Sequence, residues 1–234
     1  MDELLSAFGT AFELIVSMDP ALTEIVGLSL RVSVSAVALA ALIGCPLGAW
    51  FALGRFPGRK VLVVLLNALM GLPPVVVGLT LYLLLSRSGP FGALGLLFSP
   101  AAMIIAQCVL VIPIISALTR QTVEDLWWDY EEQLRSLGAT TRQALLTLLW
   151  EGRFSLLTAV LAGFGRAVAE VGAVLIVGGN ITHVTRVMTT TIALETAKGN
   201  LELALALGII LISLALIVNA AVYLAKDLAF SYSD

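Results

Sequence analysis

Charge is scarce in this sequence: only 12% of its 234 residues are Asp, Glu, Lys or Arg, where a soluble domain carries about 25%. With 59% hydrophobic side chains and a mean hydropathy of +1.02, the chain has too little polar surface to wrap an ordinary water-soluble core. Histidine is nearly absent, His183 standing alone, and the two cysteines, Cys45 and Cys108, both fall inside apolar runs. A His/Cys metal cluster and a disulfide framework are thereby excluded, and the cysteines read as small packing residues. There is no P-loop to cradle a nucleotide. No pair of carboxylates lies deep in an apolar run and no Ser/His/Asp set has a plausible geometry; the only strong polar candidates within spans are Arg166 and Glu170, and no catalytic site is expected. The net charge of −3 argues neither way on nucleic acid, and nothing else calls for that partner. The first apolar run follows an acidic segment and lacks a basic start, so it is not expected to be a cleaved signal peptide.

What the sequence does have is length in its apolar runs. A helix rising about 1.5 Å per residue crosses about 30 Å of hydrocarbon in roughly 20 residues, and several runs reach that size. A transmembrane barrel would show alternating segments of about ten residues instead. The expected fold is an all-α polytopic membrane protein with five transmembrane helices: Ile25–Leu53, Val61–Leu85, Pro100–Leu118, Phe154–Val177 and Leu201–Ala225. Residues 1–24 form an N-terminal amphipathic segment, with Phe8, Phe12, Leu14, Ile15 and Val16 among Asp2, Glu3, Glu13 and Asp19, too short and acidic to span and suited to a membrane surface. Residues 25–228 then make one transmembrane domain, with no obvious repeat.

Two spans carry unusual interruptions. Gly71-Leu72-Pro73-Pro74 breaks the second, because consecutive prolines remove backbone donors. Irregular backbone at membrane depth survives only when buried in protein or lining a cavity, so Pro73 and Pro74 are candidates for a pathway, or else mark a packing kink. The fourth span holds Arg166 and Glu170. Each charge alone at mid-bilayer costs about 2.5–3.5 kcal/mol. Four residues apart on one helix, the two share a face and can pair towards the bundle interior, as a clip or as support for a gate. After that span, Gly179 and Asn180 either expose neutral donors to an incoming oxyanion or simply stop the helix.

The longest polar stretch runs from Thr119 to Arg153. It is expected to form two helices, Tyr130 to Leu137 and Thr140 to Trp150, folded about Gly138. The positive-inside rule places the basic Arg55/Arg59/Lys60 loop in the cytoplasm, and with it this hinge and its Arg120, Arg135, Arg142 and Arg153. Five spans then put the N-terminus outside and the C-terminus, after Lys226, inside.

Within the hinge, Glu132 precedes Gly138 by six residues, and here the chain resembles the permease subunits of bacterial ABC importers, whose E-A-A-x-x-x-G loop docks into an ATPase subunit. Gln133 and Leu134 replace the two alanines, and Leu148-Leu149-Trp150-Glu151 lacks the usual closing proline. Ser29 to Ser33 with Gly44-x-Pro46-Leu47-Gly48, Leu72-Pro73-Pro74-Val75-Val76-x-Gly78, and Arg166 to Ala173 followed by Gly179-Asn180-Ile181 are similar to the molybdate/sulfate-type permeases. Ser86 to Pro90 and Val187 to Thr196 are most similar to their tungstate branch. The resemblance implies the type I importer permease fold. It further implies a homodimer, two ABC ATPase subunits that bind ATP and Mg (this chain binding no cofactor), an extracytoplasmic binding protein, an oxyanion cargo, and a bacterial or archaeal cytoplasmic membrane. It makes Tyr130, Glu132, Leu134, Gly138, Ala139 and Thr140 the expected ATPase-coupling residues. Molybdate or sulfate is the alternative cargo. A membrane enzyme or assembly factor, and a stand-alone secondary transporter, are the readings from other classes.

Overall fold

The computed structural model describes residues 8–9, 12–13, 16–17, 19–54 and 56–231. Half of the amphipathic segment expected over residues 1–24, and Arg55 of the basic loop, lie outside them. Nine helices are defined between Pro20 and Ser231, and no strand occurs among the described residues. They are α1 (Pro20–Leu53), α2 (Arg59–Leu69), α3 (Pro74–Leu85), α4 (Pro100–Ser136), α5 (Thr141–Glu151), α6 (Arg153–Val168), α7 (Gly172–Gly178), α8 (Met188–Lys198) and α9 (Leu201–Ser231). Helices α1, α4 and α9 are long and apolar enough to cross a membrane, and two bent pairs, α2 with α3 and α5 with α6, bring the number to five if each counts as one span.

Helix α9 runs to Ser231 rather than Ala225, and two further boundaries differ from the sequence expectation for reasons visible in the structure. Helix α1 starts at Pro20 rather than Ile25, because Asp19 accepts hydrogen bonds from Ala21 N (2.9 Å) and Leu22 N (3.1 Å) while proline fills the first helical position. Helix α4 does not stop at Leu118. It continues to Ser136, 37 residues in all, or about 55 Å at 1.5 Å per residue against a hydrocarbon thickness of about 30 Å. Ion pairs of the i,i+4 kind, Arg120–Glu124 and Glu131–Arg135, carry it through the polar region. The first hinge helix is therefore the far end of the third span.

By packing the chain divides into two compact units. One contains Ser35–Pro73 and Gln107–Ala167. Here the second half of α1 lies against α4 along small residues. A Cβ added at Gly44 would come within 3.1 Å of the Ile115 side chain, and one at Gly48 within 2.8 Å of Thr119 Cβ and 3.0 Å of Arg120 N. Glycine lets the two backbones approach this closely. Gly163 of α6 meets Val111 of α4 in the same way. Cys108 donates to Ala36 O at 3.4 Å, and both cysteines are free thiols in the packing.

The other unit holds the remaining described residues. In it α3 packs on α7, where a Cβ at Gly78 would stand 2.8 Å from Ala173 Cα. Met188 and Ile192 of α8, Ala206 and Leu207 of α9, and Leu22 and Ile25 of α1 share one apolar cluster. Ser29 Oγ stitches it, accepting from Met188 N at 2.7 Å and donating to Ile25 O at 2.8 Å.

Candidate functional site

The polar hairpin is assembled from two end-caps placed back to back. Helix α4 ends in a Schellman turn: Gly138 takes φ +68°, its N–H donates to Arg135 O at 3.0 Å, and Ala139 N donates to Leu134 O at 3.0 Å. Helix α5 opens immediately with a capping box, Gln143 N donating to Thr140 Oγ1 at 3.4 Å and Thr140 N to Gln143 Oε1 at 2.8 Å. Only residues 137–140 separate the two helices, so the turn has little freedom of its own. Helix α5 then folds back over the base of α1, and Leu148, Val123 and Ala49 form a buried cluster there. A 73° bend at Gly152 leads into α6. A Cβ added at Gly152 would lie 2.9 Å from Leu126 Cδ1 and 3.0 Å from Leu148 O, so the turn is closely packed there.

The six expected coupling residues separate into two groups. Tyr130 and Leu134 pack into the hairpin's own apolar cluster, and Ala139 is half-buried, whereas Glu132, Gly138 and Thr140 are exposed. Four other large apolar side chains of the hairpin, which the sequence reading missed, are exposed: Trp128 (81% exposed), Leu137 (81%), Leu146 (61%) and Trp150 (71%). The sequence marks them only as large apolar residues in a polar stretch, a signal they share with the inward-packed Tyr130 and Leu134. Arg153 reinforces Trp150, lying 5.1 Å from its ring centroid and donating to its carbonyl at 2.9 Å. Beside the hairpin is an open cleft of about 900 Å³ bordered by Trp50, Phe56, Trp127, Arg135 and Thr141.

The second span breaks where its sequence places the break, whereas the fourth is interrupted where none is expected. Helix α2 ends at Leu69 and α3 starts on Pro74 as its first residue, with Pro73 just before it. In the fourth span α6 ends at Val168 and α7 begins at Gly172, so the run that reads as one helix in the sequence stops between Arg166 and Glu170. Glu170 (3% exposed) sits in the gap. Its Oε1 accepts from Ala173 N at 2.9 Å, occupying the start of α7, and its carbonyl accepts from Thr189 Oγ1 at 2.8 Å. Gly172 packs against Pro74 and Val75, so this gap and the start of α3 are in contact. Gln107 Nε2 donates to Ala167 O at 3.0 Å near the end of α6. Replacing Glu170 by alanine is expected to lower stability in detergent by about 1–2 kcal/mol, the usual loss for a helix cap. Glu170→Gln, which keeps the acceptor, should lose less, and melting of the two purified variants checks the order.

Gly179 closes α7 at φ +72° and Asn180 follows at φ +49°. The hydroxyls around them are used internally. Thr190 Oγ1 donates to Asn180 Oδ1 (2.9 Å), while Thr185 Oγ1 donates to Gly178 O (2.6 Å) and accepts from Ile181 N (2.9 Å). These threonines brace the loop rather than pointing donors outward in this conformation. At the end of α8, Glu195 takes hydrogen bonds from Lys198 Nζ (2.9 Å) and Asn200 Nδ2 (3.1 Å). The Lys198 ammonium, foremost, holds its carboxyl below the ordinary glutamate value despite burial. No group of three or more His, Cys, Asp or Glu suited to a metal ion occurs among the described residues.

Residues 44–227 match the family described as binding-protein-dependent transport system inner membrane component. The chain is 43% identical over 204 residues to a probable anion ABC transporter permease protein of Haloferax volcanii, covering 85% of this chain and 88% of that one. It is 40% identical over 227 residues to the tungstate uptake system permease protein TupB of Peptoclostridium acidaminophilum, covering 97% and 100%. Against the TupB of Campylobacter jejuni it is 35% identical over 219 residues, covering 94% and 92%. The apolar spans and this similarity along most of the chain lead to one conclusion: the protein belongs to the binding-protein-dependent transport system inner membrane components, as an ABC transporter permease subunit.

Proposed function

We infer that this chain carries an oxyanion, tungstate first, across the cytoplasmic membrane, working as a pair of identical copies with two ATPase subunits and an extracytoplasmic binding protein. The observation that carries the mechanism is the hairpin. Helix α4 is about 25 Å longer than a bilayer core requires, and it ends in the doubly capped turn at Gly138 with apolar side chains exposed around it. A rigid arm of that kind suits a partner that closes on ATP and pulls. ATP and Mg bind the partner subunits, and this chain supplies no group of its own to them. The positive-inside rule puts Arg59, Lys60 and the hairpin in the cytoplasm, the N-terminus outside and the C-terminus inside.

Alternating access then works through the broken spans. The gap at Glu170 and the start of α3 at Pro74 are packed together, and a jointed contact can shift where a continuous helix would resist. Arg166, Glu170, Pro73, Pro74, Gly179 and Asn180 are assigned to the pathway or the support of its gate. Tungstate is favoured as cargo by the names of the relatives matched along nearly their whole length. The test is uptake by liposomes holding the complete transporter with its binding protein. Tungstate should be preferred to sulfate and to molybdate by about tenfold or more, roughly 1.4 kcal/mol. A preference for either competitor reassigns the cargo, and uptake independent of ATP removes the ABC mechanism.

A further inference from the structure

At the base of the hairpin, one carboxylate of α4 is paired with α2 directly and linked to α1 through Arg59. Glu124 of α4 pairs through Oε1 with Arg59 Nη2 and through Oε2 with Arg120 Nη1. Arg59 is the first residue of α2, and it also grips the end of α1, donating from Nε to Phe51 O at 2.7 Å and from Nη2 to Ala52 O at 2.9 Å. These are the last carbonyls of α1, where a cation is favoured by the helix dipole. Arg120 keeps its Nε buried without a hydrogen-bond partner, so Glu124 is the group that compensates its charge. The three side chains sum to one positive charge, and each is between 18% and 32% exposed. At that exposure an ion pair adds little to stability. Its value lies in its position.

That position is the point where α4 leaves its steric contact with α1. Gly48 holds the α4 backbone close as far as Arg120, and beyond Glu124 the helix runs another twelve residues to Ser136, about 18 Å. A displacement applied at the Gly138 turn therefore reaches the span through this joint. Arg59 and Glu124 tie the arm to the end of α1 and the start of α2 at once. We propose that Glu124 is a positioning residue for transport: its bridge to Arg59 passes movement of the hairpin to the first two spans, so that ATP hydrolysis by the partner is converted into oxyanion passage. Without the bridge the arm moves and the ends of those spans do not follow, so ATP is spent with little cargo moved.

This role rests on the reading of the hairpin as the ATPase-driven element, and the experiment separates the two. The complete transporter is placed in liposomes, tungstate-loaded binding protein is supplied, and uptake and ATP hydrolysis are recorded together, giving oxyanions carried per ATP. Glu124→Gln is expected to lower that ratio about tenfold in an intact complex, with hydrolysis within about twofold of the unmodified protein. Arg59→Gln should lower it by the same factor, and the double variant should be no worse than either single one, because all three remove the same bridge. Glu124→Asp keeps the charge and should recover most of the ratio. An unchanged ratio in Glu124→Gln overturns the role, as does a double variant whose loss multiplies those of the singles. If Glu124→Gln fails to assemble, Arg59→Gln and Glu124→Asp carry the same comparison; failure of all three makes the bridge a folding element and also overturns the role. Gly138→Pro is run in parallel. Normal stimulation of ATP hydrolysis by loaded binding protein there discards the hairpin reading itself, whereas lost stimulation in Gly138→Pro beside a normal ratio in Glu124→Gln discards only the bridge.

Discussion

Replacement of Gly138 by proline is expected to cut oxyanion uptake at least about tenfold while the protein still assembles with its ATPase. Proline fixes φ near −65°, and the residue here stands at +68°. The ring also removes the N–H that donates to Arg135 O and pushes Leu137 out of the helical region. The Schellman turn then cannot form, and α5 leaves α4 in another direction. Nothing lies within 4 Å of a Cβ built at Gly138, so the damage is confined to the turn and the spans should keep their packing. Alanine separates conformation from bulk: it costs about 1–2 kcal/mol for the left-handed backbone but meets no neighbour, and should leave most of the transport. Stimulation of ATP hydrolysis by loaded binding protein is the decisive readout. If the assembled proline variant is stimulated normally, the hairpin is not the transmitting element.

The turn was legible in the sequence because each of its parts is local. Gly138 between polar helix-formers, and Thr140 three residues ahead of Gln143, specify caps by chemistry that acts within one turn of chain. The same is true of the break at Pro73-Pro74. What was not legible depends on contacts distant in sequence. No local signal distinguishes Tyr130 and Leu134, packed inward on Ala49 and Leu148, from Leu137 and Trp150, which stay outside. The stop in the fourth span was hidden for a different reason. Residues 165–171 contain no proline and only one glycine, and read as uninterrupted helix. Their alternative partners, Gln107 for Ala167 O and Thr189 for Glu170 O, are 60 and 19 residues away. Long-range hydrogen bonds made up for the lost helical ones, which a period of 3.6 cannot reveal. Asp19 as a cap was available locally and was passed over in favour of the start of the apolar run.

The second large effect is expected at Gly48, and its sign runs against helix propensity. In an exposed helix interior, Gly→Ala stabilises by about 0.8–1 kcal/mol, and Gly27 of α1 and Gly208 of α9, with nothing within 4 Å of an added Cβ, should follow that rule. At Gly48 the new methyl would overlap the carbonyl oxygen of Ser116 and stand 2.8 Å from Thr119 Cβ and 3.0 Å from Arg120 N. Two of these three atoms belong to the α4 backbone and cannot turn aside, so the helices must separate. Overpacking costs about 1–3 kcal/mol, which outweighs the propensity gain: Gly48→Ala should melt below the unmodified protein while Gly27→Ala melts at or above it. Gly44 is the intermediate case, because its nearest neighbours, at 3.1 Å, are side-chain atoms of Ile115 that can yield a little. Gly48→Val adds two further methyls against the same backbone and is expected to abolish recovery of monodisperse protein from detergent. The fault lies at the base of the arm, one helical turn before Glu124 begins to act, so Gly48→Ala should also lose transport per ATP before it loses assembly. Equal melting temperatures for Gly48→Ala and Gly27→Ala would mean that α1 and α4 do not touch as closely as Gly44 and Gly48 allow.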